Sequence, residues 1–202
     1  MFLEHIIYST ALAILIGMVF YKYTGRDSSW IVIPCSLLPD LDVVTNPVLR
    51  SLGIRLLLDG SSIHHGTFHN IAFMVLFGIA VAFLLNPLGI RFFDSLFFAM
   101  VGFGAHLLED WLVYDPGYMF LWPFSSKILG FGLLPDIMNE ENYVKDFFRI
   151  ANTEVLLLGL ALLLLAIIIR TYYERSSSWI RWYMPDSVYK RFFQENNQNP
   201  KT

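Results

Sequence analysis

Histidines and carboxylates in this chain are grouped at spacings that suit a shared metal ion. The histidines are His5, His64, His65, His69 and His106. Asp40 and Asp42 follow Pro39 two residues apart, His65 and His69 stand one helical turn apart, and His106 and Asp110 repeat that spacing. An i, i+4 pair projects from one helix face with its ends ~6 Å apart, the reach two side chains need to grip one divalent ion. Imidazole with carboxylate suits zinc, and also iron or manganese. The single cysteine, Cys35, argues against a thiolate site and cannot form an internal disulfide. The candidate metal ligands are therefore His5, Asp40, His64, His69, His106 and Asp110, with Glu154 as a further carboxylate at the start of a later apolar run. His64 and His65 are neighbours and diverge on a helix, so at most one of them shares a metal with His69. Other roles stay open at this level: Asp40 as the cap of a helix after the Pro turn, Asp42 as a hydrogen-bond partner of a ligand, His5 as a solvated interfacial side chain.

The elements that must position these residues are membrane helices. Of 202 residues, 55% are hydrophobic and 15% charged, and the mean hydropathy of +0.53 excludes an ordinary soluble domain. Windows of ~20 residues give spans near Ile6 to Phe20, Ile71 to Leu85, Phe92 to Leu108 and Val155 to Ile169. A fifth apolar run, Trp30 to Leu38, is too short to cross ~30 Å of hydrocarbon and is broken by Pro34 and Pro39, so it reads as a tilted or re-entrant segment. The expected fold is all-α: a polytopic bundle of four spans plus this short segment. Met1 to His5 carries Glu4 and no Lys or Arg, and no small-residue cleavage signal follows, so the first span reads as a retained helix. The net charge of −3 excludes a nucleic-acid binder.

If the short segment returns the chain to its starting side, residues 1–5, 39–70 and 106–154 lie on one face, and 21–29, 86–94 and everything after Ile169 on the other. All the histidines then share the first face. The second holds Lys22, Arg26, Arg91, Arg170, Arg175, Arg181, Lys190, Arg191 and Lys201, against Arg50, Arg55, Lys127, Lys145 and Arg149 on the first. The Lys/Arg excess marks the cytoplasmic side, so the metal site is expected to be external and the carboxyl terminus cytoplasmic. Residues 1–170 read as the membrane-embedded domain, 171–193 as an interfacial amphipathic segment and 194–202 as a disordered tail.

The segments Pro39-Asp40-Leu41-Asp42, His64-His65-Gly66-Thr67-Phe68-His69-Asn70, His106-Leu107-Leu108-Glu109-Asp110 and Trp122-Pro123-Phe124-Ser125 together resemble a family of membrane-bound metal-dependent hydrolases described as LexA-binding and inner-membrane-associated. The resemblance covers roughly residues 1 to 170. The family's central motif usually reads His-Arg-Gly-x-Thr-His-Ser; here His65 stands at the Arg, Phe68 at the Thr and Asn70 at the Ser, while both outer histidines, His64 and His69, are kept. The resemblance implies hydrolase activity, an inner-membrane location and a LexA-type partner. Through that family the chain is distantly similar to zinc-dependent phospholipases C and fungal zinc nucleases, whose His-x-x-x-Asp ligand pattern His106 and Asp110 match, although the amino-terminal Trp ligand has no counterpart at Met1 or Phe2.

One to three divalent ions here, zinc foremost, would lower the proton affinity of a coordinated water towards neutrality beside a Lewis acid. Hydrolysis of a phosphoester or lipid-like substrate at the membrane surface is the expected function, with Asp42 and His65 as candidate catalytic residues. The aromatic loop from Trp111 to Asn152 either roofs the site or rests on the headgroups. The alternative is a non-enzymatic membrane protein, either a metal carrier or a scaffold for a partner. A carrier needs ionisable groups in mid-span, and these spans place them at the ends. Haem binding would need facing histidines in the bilayer interior or a Cys-x-x-Cys-His motif, and neither is present.

Overall fold

The computed structural model describes residues 2–54, 57–58, 61–62, 66–113, 117–132, 153–184 and 186–189. It is all-α apart from one tiny hairpin. Helix α1 (Phe2–Thr24) is followed by a 3-10 turn (Ser29–Ile31) that runs into the one-turn helix α2 (Val32–Cys35), and then by α3 (Leu41–Ser51). The hairpin pairs β1 (Leu57–Leu58) with β2 (Ser61–Ser62), Leu57 opposite Ser62. Next come α4 (Ile71–Leu85), α5 (Phe92–Val113), α6 (Thr153–Glu174), a 3-10 helix (Ser178–Tyr183) and the short α7 (Asp186–Tyr189).

Among the described residues, four helices are long and apolar enough to cross a bilayer: Leu3–Thr24, Ile71–Leu88, Phe92–Val113 and Leu156–Glu174. Within them α1 and α5 are 44% and 39% buried, against 11% for α4 and 17% for α6. So α1 and α5 form the centre and α4 and α6 turn most of their surface to lipid. Because lipid tails are as apolar as Leu, such helices associate through close packing rather than hydrophobic exclusion. Small residues permit that approach. Gly102 of α5 lies against the Val32 carbonyl and the Cys35 Cβ, where any side chain would collide with backbone. Ala13, Ile31, Val32, Cys35, Phe98 and Ala99 make one buried cluster around this contact. The fifth apolar run is thus a broken wedge between α1 and α5, as its two prolines require.

The contacts sort the chain into two ends. At one, His5 of α1 meets Glu109 of α5, and Gly159 near the start of α6 packs against Ile7 and Tyr8. At the other, Arg26 Nε donates to Asp94 at 2.7 Å, and Arg170 of α6 donates to Asp27 at 2.6 Å and Glu174 at 2.8 Å. Arg170 is fully buried, its guanidinium 5.0 Å from the Trp179 ring. Ser29 and Tyr183 are hydrogen-bonded there too. The segment after α6 therefore docks on the bundle, with Trp179 buried among Ala11, Ile14 and Ala166. The tail 194–202 lies outside the described residues.

Candidate metal centre

Five separate stretches deliver polar side chains, all buried but the partly exposed Glu109, to the first end. His5 comes from the first turn of α1, Asp40 from the break after α2, Asp42 from the first turn of α3, His69 from the loop before α4, and His106, Glu109 and Asp110 from the last turns of α5. His69 and His106 have no exposed surface, and His5, Asp40, Asp42 and Asp110 are buried. Local signals fix their placement. Asn70 caps α4, its side chain accepting from the Phe73 N–H at 3.1 Å, which sets His69 just outside the helix. Asp40 stands at the amino-terminal cap position of α3, yet its side chain makes no capping bond and turns to the histidines instead.

The donor atoms converge. His69 Nε2 lies 3.2 Å from His106 Nε2, and these two nitrogens lie 3.2 and 3.4 Å from Asp110 Oδ2. Both lie 3.6 Å from Asp40 Oδ1. An ion bound at ~2.0–2.1 Å by a tetrahedron of ligands sets those ligands ~3.3–3.4 Å apart. The five separations fall on either side of that edge length, so these four donor atoms, with His69, His106 and Asp110 as the tightest group, make a cage spaced for a zinc-sized ion.

The outward-facing atoms orient the imidazoles. A carbonyl only accepts, so the 2.7 Å contact between His106 Nδ1 and the Ser36 carbonyl puts the proton on Nδ1 and leaves the Nε2 lone pair for the cage. His69 Nδ1 faces Asp42 Oδ2 at 3.4 Å, and the same oxygen accepts from the Gly66 and Phe68 N–H groups at 2.9 and 3.2 Å. Asp42 thus orients the His69 loop. Gly66 has φ +94°, and a Cβ there would meet the Tyr118 ring, whose centroid lies 4.5 Å from that of His69 with the two rings tilted.

His5 repeats the pattern beside the first position. Its Nδ1 donates to Glu109 Oε2 at 2.7 Å, its ring stacks 4.0 Å from His106, and its Nε2 is 3.8 Å from Asp110 Oδ1. His5, Asp40 and His106 form one group able to hold a metal, and His69, His106 and Asp110 another. Asp110 presents Oδ2 to His69 and His106 and Oδ1 to His5.

Without an ion, a proton must balance the buried carboxylates. Burial lowers the proton affinity of the His69 imidazole, but hydrogen bonds to Asp110, Asp40 and Asp42 outweigh it and hold its pKa well above the ordinary histidine value. Burial pushes the Asp40 carboxyl up, and the His106 charge and the His69 hydrogen bond hold it well below the usual carboxylate range.

Of the residues the sequence nominated as ligands, the structure brings together His5, Asp40, His69, His106 and Asp110. Asp42 stands behind His69. His64 and His65 lie outside the described residues, as does the side chain of Glu154 at the start of α6. The described part of the aromatic loop does cover this end: beside the Tyr118 contact, the Phe120 carbonyl accepts from the Ile71 N–H at 2.9 Å and Trp122 stacks on Phe73. Sequence reasoning passed over Glu109 and the Ser36 carbonyl. Glu109 had a signal, because it shares a helix face with His106 at i+3; a backbone carbonyl has none.

Comparison with protein families matches residues 1–177 to the YdjM inner membrane protein family. The chain belongs to this family. It is accordingly a multi-pass inner membrane protein, and the match takes in every residue of the cage while ending just before the 3-10 helix at Ser178. The family description names a location and no activity. No curated protein and no solved structure matches the chain.

Proposed function

We propose that this YdjM-family protein is a divalent-metal-dependent hydrolase acting on a phosphoester or lipid-like substrate at the external membrane surface. The observation that carries the reading is the set of four buried donor atoms from His69, His106, Asp40 and Asp110, the two imidazole nitrogens lying 3.2–3.6 Å from each other and from both carboxylates. Zinc fits nitrogen and oxygen donors at these separations best. A bound ion would supply a Lewis acid and a water of lowered proton affinity. The chain's own part is to hold the donors rigid: Ser36, Asp42 and Glu109 fix the three imidazoles, and the loop around Tyr118 limits water. Asp42 is accordingly a positioning carboxylate in this reading, while His65 keeps the catalytic role the sequence suggested. The external placement rests on the Lys/Arg excess of the opposite end.

Elemental analysis of the protein purified in detergent tests the metal. Stoichiometric zinc, iron or manganese is expected, lost in His69→Ala and Asp110→Ala, with hydrolysis of one or more members of a panel of soluble and lipid phosphoesters lost in parallel. Absence of metal after purification and after reconstitution would end the proposal, and metal without any turnover would favour the carrier. A reporter fused after Thr202 is expected to read cytoplasmic; an external readout would reverse the orientation.

A further inference from the structure

Beside the cage, α1, α5 and α6 enclose a crevice of about 610 Å³. Its walls are aliphatic: Leu12 and Leu15 from α1, Leu108 and Leu112 from α5, Leu158 and Leu162 from α6. It runs from Tyr8 to Leu15 on α1 and from Leu158 to Ala166 on α6, which at ~1.5 Å per residue is about 12 Å along the helices. That is most of the ~15 Å hydrocarbon depth of one leaflet. Among the described residues that line it, the polar ones are Tyr8, Ser9 and Glu109, at its upper end. Glu109 is the residue that accepts from His5, whose other nitrogen faces Asp110 of the cage. The rim residues Leu108 and Leu158 are more than half exposed, so the crevice opens sideways between membrane helices.

We propose that this crevice seats the hydrocarbon tail of a lipid whose phosphoester headgroup lies at the cage, entering laterally from the bilayer. The inference rests on the hydrolase reading above and narrows its substrate to an amphiphile. The crevice opens onto lipid past its exposed Leu108 and Leu158 rim, so an acyl chain is the neighbour placed to fill it. Size also fits a small-molecule site, since pockets that bury a ligand run from ~300 to ~1,000 Å³. Aliphatic walls offer a headgroup nothing, whereas the hydrogen-bonded Glu109–His5 pair at the upper end offers a tail nothing. An amphiphile is the molecule that matches both ends.

The test uses the full chain in phosphatidylcholine vesicles doped with phosphatidylglycerol carrying a diazirine on its acyl chain. Photolabelling is expected several-fold more strongly on the α1, α5 and α6 peptides lining the crevice than on the exposed Leu76 and Phe83 face of α4. Ala105→Phe on the α5 wall of the crevice, and Leu162→Trp as a second filling variant, should abolish that preference while metal content stays at the wild-type value. With a phosphoester substrate series, the filling variants should raise KM for long-chain lipids about tenfold or more and leave turnover of a short-chain soluble phosphoester unchanged. Equal labelling of the crevice and the α4 face would overturn the proposal, as would preferential labelling that survives both filling variants. The two readings fail separately. Crevice labelling in a protein without metal would sink the hydrolase and spare the tail site, and zinc with soluble-substrate turnover but no crevice labelling would do the reverse.

Discussion

Replacing Asp110 by Asn keeps the size of the side chain and removes its charge, which makes it the sharpest probe of the cage. Oδ2 of Asp110 sits 3.2 and 3.4 Å from the two Nε2 atoms. Structural zinc binding is worth roughly 10–16 kcal/mol, so one of four equal donors contributes about 2.5–4 kcal/mol, and its loss weakens affinity by roughly 10²–10³-fold. At a free zinc concentration ~1,000 times the wild-type Kd, the ion stabilises the native state by about 4.1 kcal/mol, a rise of roughly 8–16 °C in the unfolding midpoint. The same zinc is only ~1–10 times the Kd of Asp110→Asn, which leaves about 0.4–1.4 kcal/mol and at most ~6 °C. Thermal unfolding in detergent micelles across a buffered zinc titration measures both. A variant whose zinc-dependent rise equals that of the wild type would refute the assignment of Asp110 as a ligand, and with it the argument from donor spacing.

The carboxylates behind the imidazoles have smaller expected effects: Asp42→Asn and Glu109→Gln should each weaken zinc affinity ~10–100-fold without removing the site, as measured by chelator competition. At the other end, Asp27→Asn leaves Arg170 buried with a weakened partner set and should cost ~3–5 kcal/mol of stability, while Asp27→Asn combined with Arg170→Met should recover part of it; zinc content should not change in either. Stability of the metal-stripped protein should depend on pH in two places. His69 has a raised pKa, so its contribution is complete below ~6.5 and is lost as pH climbs through the folded value. Asp40 has a lowered one, so its contribution is present above ~3.9 and is lost as pH falls towards the folded value. Zinc requires a neutral His69, so the zinc-dependent stabilisation should grow with pH over the alkaline range where the stripped protein weakens. A zinc effect that shrank over that range would contradict the arrangement.

How much was legible in the sequence follows from which forces are local. The four spans are written in unbroken apolar runs, and the structure extends them by a few residues at most ends, as α1 shows by reaching Thr24. The Trp30 to Leu38 break is written in its prolines. Helix α3 is only weakly so written: it is short, carries Pro47 inside and exposes apolar Val44 and Val48, and its signal in the sequence is Asp40 at a cap position after the Pro turn. The Arg170–Asp27 pair joins residues 143 apart and leaves no periodic trace. The ligand set was visible because i, i+4 spacing on α5 and the crowding of histidines are one-dimensional signals. The division of labour was not, since telling Asp42 from Asp40 needs the loop that folds over Asp42 and the imidazoles that Asp40 meets.

The unfinished helix at the middle of the bundle has a use that its shortness hides. Pro39 has no N–H and its ring obstructs the carbonyl four residues earlier, so the turn that begins at Val32 cannot continue into α3. In an unbroken spanning helix the oxygen of Ser36 would be engaged by the amide of residue 40; here it receives the His106 ring proton instead. Mending the interruption, for instance with Ala at position 39, would give the bilayer a more regular rod and deprive the imidazole of its anchor. Regular secondary structure and an oriented ligand compete for one oxygen atom, and in this chain the ligand has it.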